Sequence, residues 1–209
     1  MKIESLKTTP DRAGRYWLRL EDGTSMALYR QTVEDFGLYA GMELSADELS
    51  RLRTAAGEMS AKMRAVRIVS ASAVSKRDLE HRLVQKGETP ADAQAAVEWM
   101  EGLDLLDDRK TAEQIVQSCI RKGYGIARAK QALFEKKIPK SLWDEVLLEY
   151  PEQTEKLVAF LRMRLGDSWD EKDVKRAVDA AMRRGHSYAA IRRALNIVTA
   201  GEDDFPEEW

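Results

Sequence analysis

Ile120-Arg-Lys-Gly-Tyr-Gly-Ile-Ala-Arg-Ala-Lys-Gln-Ala-Leu133 returns as Met182-Arg-Arg-Gly-His-Ser-Tyr-Ala-Ala-Ile-Arg-Arg-Ala-Leu195. In both copies an apolar residue precedes two cations, a glycine and a small polar or aromatic pair, and a segment of helical period with paired bases follows. A near-repeat of this kind predicts a chain built by stacking one small unit. At an offset of 50 the pattern extends toward the amino terminus: Ser75–Met100 aligns with Gly125–Tyr150, bringing Leu83 onto Leu133 and Ala93, Ala96, Val97 and Met100 onto Trp143, Val146, Leu147 and Tyr150. The expected fold is mainly α: three tandem three-helix repeats in an elongated array, at 60–106, 107–150 and 154–198, the last one truncated where Ala200-Gly-Glu-Asp-Asp204 ends the pattern.

Helix stops and starts punctuate these units. Gly87, Gly102, Gly123, Gly166 and Gly185 each close an apolar periodic run, as a glycine at a helix C-cap does. Ser75 with Asp78, Thr89 with Pro90 and Asp92, Asp107 or Asp108, and Ser187 supply N-caps. Ser45-Ala-Asp-Glu48 has the spacing of a capping box, and Leu49, Leu52, Ala56, Met59, Met63 and Val66 follow as one amphipathic stripe in which Gly57 is a point of bending or interruption.

Residues 1–55 read differently. Tyr16-Trp-Leu-Arg-Leu20 and Met26-Ala-Leu-Tyr29 flank Glu21-Asp-Gly-Thr24, whose Asp22-Gly23 pair signals a hairpin. Ile3–Leu6 supplies a third strand, giving a small antiparallel sheet that needs the following helix as a cover. After the repeats, 199–209 is expected to be a mobile acidic tail.

Composition narrows function. Apolar residues make up 44% and charged residues 33% of 209, with a net charge of -2, so any attraction to nucleic acid has to be local. One cysteine, Cys119, excludes an internal disulfide and falls on the apolar phase of a helix. No run of apolar residues serves as a signal peptide or membrane span, which points to the cytoplasm. His81 and His186 have no second ligand at metal spacing, there is no phosphate-cradling loop or nucleophile elbow, and Asp107-Asp108 is explained by capping; no cofactor and no catalytic activity are expected.

Between Ile120 and Lys140 seven bases face one acid, Glu135, a local surplus of six. Arg121, Lys122, Tyr124, Arg128 and Lys130 form the first candidate binding cluster, and Arg183, Arg184, Arg192 and Arg193 the second. In register they would extend along one surface suited to an acidic protein groove or to phosphate. The alternative is that they are solvated helix faces, with Arg121, Lys122, Arg183 and Arg184 complementing helix dipoles. Tyr124 packs between helices on that reading, and Trp99, Trp143 and Trp169 belong to core stripes.

Leu105-Leu-Asp-Asp-Arg-Lys-Thr-Ala112, followed by Arg121-Lys-Gly-Tyr-Gly125 and Ala127-Arg128, resembles the signature of the RecX family, bacterial regulators of the RecA recombinase. The resemblance covers 60–198, and the strand-rich start with Gly41-Met-Glu-Leu44 is similar to an extension some members carry. It departs from the family at Thr111, usually aromatic, at Ile126, usually proline, and at Lys137, usually glycine. The resemblance implies a monomeric, non-enzymatic protein that binds along the helical groove of the RecA filament, with single-stranded DNA within or beside it. It would limit filament extension and so restrain homologous recombination, DNA repair and the SOS response. A direct nucleic-acid binder and a helical-repeat adaptor for another protein stand as alternatives.

Overall fold

The computed structural model describes residues 1–166 and 169–200; most of the tail expected at 199–209 therefore lies outside the described residues. At the amino terminus β1 (Ile3–Leu6), β2 (Arg15–Leu20) and β3 (Ser25–Tyr29) form an antiparallel meander in the order β1-β2-β3. Tyr16 pairs with Leu28 and Leu18 with Met26 across the hairpin, and Ile3 pairs with Leu20 on the other side. The turn follows from its residues: Gly23 takes φ +83°, and the Asp22 carboxylate accepts the Thr24 N–H at 2.9 Å. Alternation along β2 buries Leu18 and Leu20 and exposes Trp17 and Arg19.

A short helix, α1 (Arg30–Asp35), follows the sheet without an amphipathic pattern long enough to have marked it in the sequence. The cover is α2 (Ala46–Ala71), which opens with the expected capping box: the Ser45 hydroxyl accepts the Glu48 N–H at 3.1 Å, and the Glu48 carboxylate accepts the Ser45 N–H at 2.8 Å. Leu49 and Leu52 join Ile3, Leu18, Leu20 and Leu28 in the first core.

The helix then runs on unbroken through 55–60, where a division between two domains is expected. Its second half places Ala61 and Ala65 in another core, with α3 (Lys76–Gln85) and α4 (Pro90–Gly102). Gly57 does not bend or interrupt α2; a Cβ there would lie 2.9 Å from the Asp92 carboxylate, so the glycine admits the first turn of α4. The caps at Ser75 and Thr89 accept the N–H groups of Asp78 and Asp92, each at 3.1 Å. Gly102 is the last residue of α4, and the left-handed position after it belongs to Asp104 (φ 56°), a residue type that tolerates that region.

The chain divides into two compact units, Met1–Asp107 and Asp108–Trp209. In the second, α5 (Asp108–Arg121), α6 (Ile126–Glu135), a 3-10 turn at Lys140–Leu142 and α7 (Trp143–Leu147) enclose Ala112, Val116, Cys119, Ala129, Leu133, Ile138 and Leu147. Then α8 (Thr154–Leu165), α9 (Glu171–Arg183) and α10 (Tyr188–Thr199) enclose Leu157, Leu161, Val174, Ala181, Ile191 and Ala194. The bounds of α6 are those of α3 moved by the 50-residue offset. At the 62-residue offset the ends of α5 and α9 coincide, as do the starts of α6 and α10.

A truncated last unit is expected from that offset, because the counterpart of α7 would fall beyond residue 200, outside the described residues. The last bundle has three helices nonetheless: α8 supplies the third from the amino-terminal side. Trp99, Trp143 and Trp169 are partly buried against the three helical cores, and the Trp143 indole donates to the Ile138 carbonyl at 3.1 Å.

Candidate partner-binding face

The repeated segment folds as two helix-turn-helix elbows that meet. α5 and α9 each end in cations, and the chain reverses through left-handed glycines, Gly123 (φ +68°) and Gly185 (φ +84°). The Gly125 N–H donates to the Arg184 carbonyl at 2.9 Å, and the Ala127 N–H to the Gly185 carbonyl at 3.3 Å. His186, buried, is 3.0 Å through Nε2 from the Gly123 carbonyl. Tyr150 donates its hydroxyl to the Tyr124 carbonyl at 2.7 Å, and the Lys156 ammonium donates to the Ile120 carbonyl at 2.6 Å.

Neither facing glycine leaves space for a side chain. A Cβ on Gly125 would stand 2.0 Å from the Gly185 carbonyl oxygen, and one on Gly185 would stand 2.2 Å from the Arg128 backbone nitrogen. The Gly-Tyr-Gly motif is thus more than a turn within one unit; its second glycine is where two backbones touch. Burial holds the imidazole of His186 below its ordinary pKa, with the Gly123 carbonyl opposing and Arg184 adding to the effect. Burial also raises the Cys119 thiol and pushes the Tyr150 phenol up to about 12.

Around this joint the nine candidate residues divide. Arg121, Lys122, Lys130, Arg183 and Arg192 are exposed and have no side-chain hydrogen bond or ion pair among the described residues. Arg128 is bonded to Glu135 at 3.0 Å, and Arg193 to Glu152 at 3.0 Å. Arg184 is stacked inside the joint, its guanidinium carbon 4.1 Å from the centre of the Phe160 ring and 5.7 Å from that of Tyr124. Tyr124 is partly buried in the α5–α7 core, so Arg184 and Tyr124 serve the packing of the elbows.

The exposed cations obey the 62-residue offset. Arg121 corresponds to Arg183 and Lys130 to Arg192, and between them Ile126 corresponds to Tyr188, 43% and 55% exposed. Each bundle of the second unit therefore offers a cation, an exposed apolar residue at the head of a helix, and a cation one turn along it. Sequence reading missed Ile126 and Tyr188, although their shared place directly after the Gly-Tyr-Gly and Gly-His-Ser turns was there to be seen.

The departures from the family pattern also have places. Lys137 occupies the left-handed region (φ 53°), where glycine carries no steric cost. Thr111 is buried in α5, and Ile126 is the first residue of α6, the position proline suits. Among the described residues no group of three histidine, cysteine, aspartate or glutamate side chains could hold a metal ion, and no helix is long and apolar enough to cross a membrane.

Residues 107–147 match the family model described as RecX, second three-helix domain. The regulatory protein RecX of Vibrio parahaemolyticus is 28% identical over 141 residues, covering 66% of this chain and 91% of that protein. The regulatory protein RecX of Clostridioides difficile is 25% identical over 201 residues, covering 93% of each. Among solved structures, one described as regulatory protein RecX superposes with a TM-score of 0.60 at 20% identity, over 93% of this chain and 98% of that one. RecX from Lactobacillus salivarius superposes with a TM-score of 0.57 at 19% identity, over 69% and 97%. With the signature residues, the matched three-helix domain and the fold in agreement, the chain belongs to the RecX family of regulatory proteins.

Proposed function

We propose that the chain is a cytoplasmic, non-enzymatic regulator that binds the RecA filament on single-stranded DNA and restrains its extension. The observation that carries this reading is the duplicated set of exposed cations, Arg121 with Lys130 and Arg183 with Arg192. A filament repeats its subunits, and a chain that repeats its own basic patch can engage two of them, or two stretches of the phosphate backbone, with one kind of contact. Membership of a family of regulatory proteins supports the same reading. Arg121, Lys122, Lys130, Arg183 and Arg192 are the partner-facing residues in this proposal, while Tyr124, Arg128, Arg184 and Arg193 act mainly by holding the elbows.

The test is a titration of the protein into RecA, ATP and single-stranded DNA. Inhibition of ATP hydrolysis at less than one copy per RecA monomer, with shorter filaments in the electron microscope, is the expected result; unchanged hydrolysis and unchanged filaments would refute the proposal. The same patch of bases also supports a second reading, direct binding to nucleic acid. That reading predicts DNA binding without RecA and a steep loss of affinity as salt rises.

A further inference from the structure

Beside the elbow joint is a cavity of about 180 Å³, lined on its apolar side by Ile126, Tyr150, Pro151, Leu157 and Ala190, with Arg193 on its rim. An engineered apolar cavity of ~150 Å³ accepts a benzene molecule, so this space admits one aromatic ring. The rim is basic on the α10 side: α10 carries Arg192 and Arg193 and no acid. The one acid lining the cavity, Glu152, is already bonded to Arg193 in an exposed pair, which leaves Arg193 easily shared. From the cavity a strip of α10 leads toward its carboxyl end through Arg193 to Ile197, which is 47% exposed.

We propose that this cavity receives Phe205 from the chain's own segment Gly201-Glu-Asp-Asp-Phe-Pro-Glu-Glu-Trp209, running back along α10 with its acids beside the arginines. The reach agrees. Ala200 to Ala190 is about 15 Å along a helix, and five extended residues, Ala200 to Phe205, cover about 17 Å. Phe205 then comes level with the cavity, and Glu202, Asp203 and Asp204 lie along Ile197 to Arg192. Five acids and no base in the segment complement Arg192 and Arg193. The segment covers part of the exposed basic set, so an acidic partner or phosphate has to displace it. That consequence rests on the function proposed above; the docking itself does not.

Docking is tested in the full-length chain without any partner. Phe205→Ala should shift the amide resonances of Gly125, Leu157 and Ala190 while leaving those of the sheet unmoved, and Trp209→Ala should leave the cavity resonances in place. A labelled peptide of residues 200–209 added in trans should bind the Phe205→Ala chain. Against the wild-type chain it competes with a tethered copy at roughly millimolar effective concentration, so a peptide with a dissociation constant near 0.1 mM should bind about tenfold more weakly. Shifts confined to residues beyond 199, equal peptide affinity for the two chains, or a response to Trp209→Ala in place of Phe205→Ala would each overturn the proposal. Equal affinity would in addition show a cavity left open for a segment supplied by another protein.

Discussion

At the scale of single residues, Gly125 is decided by atoms of the next repeat. Its absent Cβ is where the Gly185 carbonyl sits, 2.0 Å from any added methyl, and backbone on both sides cannot rotate away as a side chain would. Gly125→Ala should cost about 3 kcal/mol or more, as overpacked positions and lost backbone hydrogen bonds do, measured by urea denaturation. A loss below 1 kcal/mol would mean the elbows separate easily. Lys137 makes the opposite case. Held at φ 53°, it carries strain that glycine removes, and Lys137→Gly should raise stability by about 0.5–1 kcal/mol, seen as a higher melting temperature. His186 gives a pH signature. Its folded pKa lies below the ordinary 6.5 of the unfolded chain, so the unfolded state takes up the proton first. Its contribution is therefore whole above pH 6.5 and is lost as pH falls through the folded pKa. His186→Gln should flatten the fall in stability just below pH 6.5, well above the range where carboxylates titrate.

At the scale of elements, most of the fold was legible because its signals are local. Asp22-Gly23 marked the hairpin, Ser45 with Glu48 marked the start of α2, and the 50- and 62-residue offsets carried helix bounds from one unit to another. What was not legible depends on contacts between distant segments. Nothing local says that Gly57 faces Asp92, so a glycine that admits α4 reads as a break in α2. Nor does periodicity reveal that one helix serves two cores, Leu49 and Leu52 under the sheet and Ala61 and Ala65 against α3 and α4. That shared helix makes a prediction about cooperativity. Leu18→Ala empties space in the sheet core, where Leu18 is fully buried, and should cost about 2–5 kcal/mol. Because α2 is continuous, hydrogen exchange should show α4 amides losing protection together with those of β2. Loss confined to the sheet would show that α2 does not couple the two cores.

At the scale of the molecule, the candidate site was only half legible. Charge clustering found the right segments, but it could not separate cations held by Glu135, Glu152 or the Phe160 and Tyr124 rings from those left facing solvent. That separation fixes how the two basic sets should act. If each engages its own copy of a repeating partner, the second contact forms within an already tethered complex, and together they gain affinity far beyond either alone, by a factor of ~10² or more. Removing either set then forfeits the tethering, and removing both adds little. Arg121→Glu with Lys130→Glu, and separately Arg183→Glu with Arg192→Glu, should each raise the concentration needed to inhibit RecA by about a hundredfold. The fourfold variant should be only slightly worse than either pair, and unchanged circular dichroism would verify that all three remain folded. Were the sets parts of one continuous surface on a single partner subunit, the two losses would multiply, as independent contacts do. The fourfold variant separates these cases, because only tethered contacts make the second loss small.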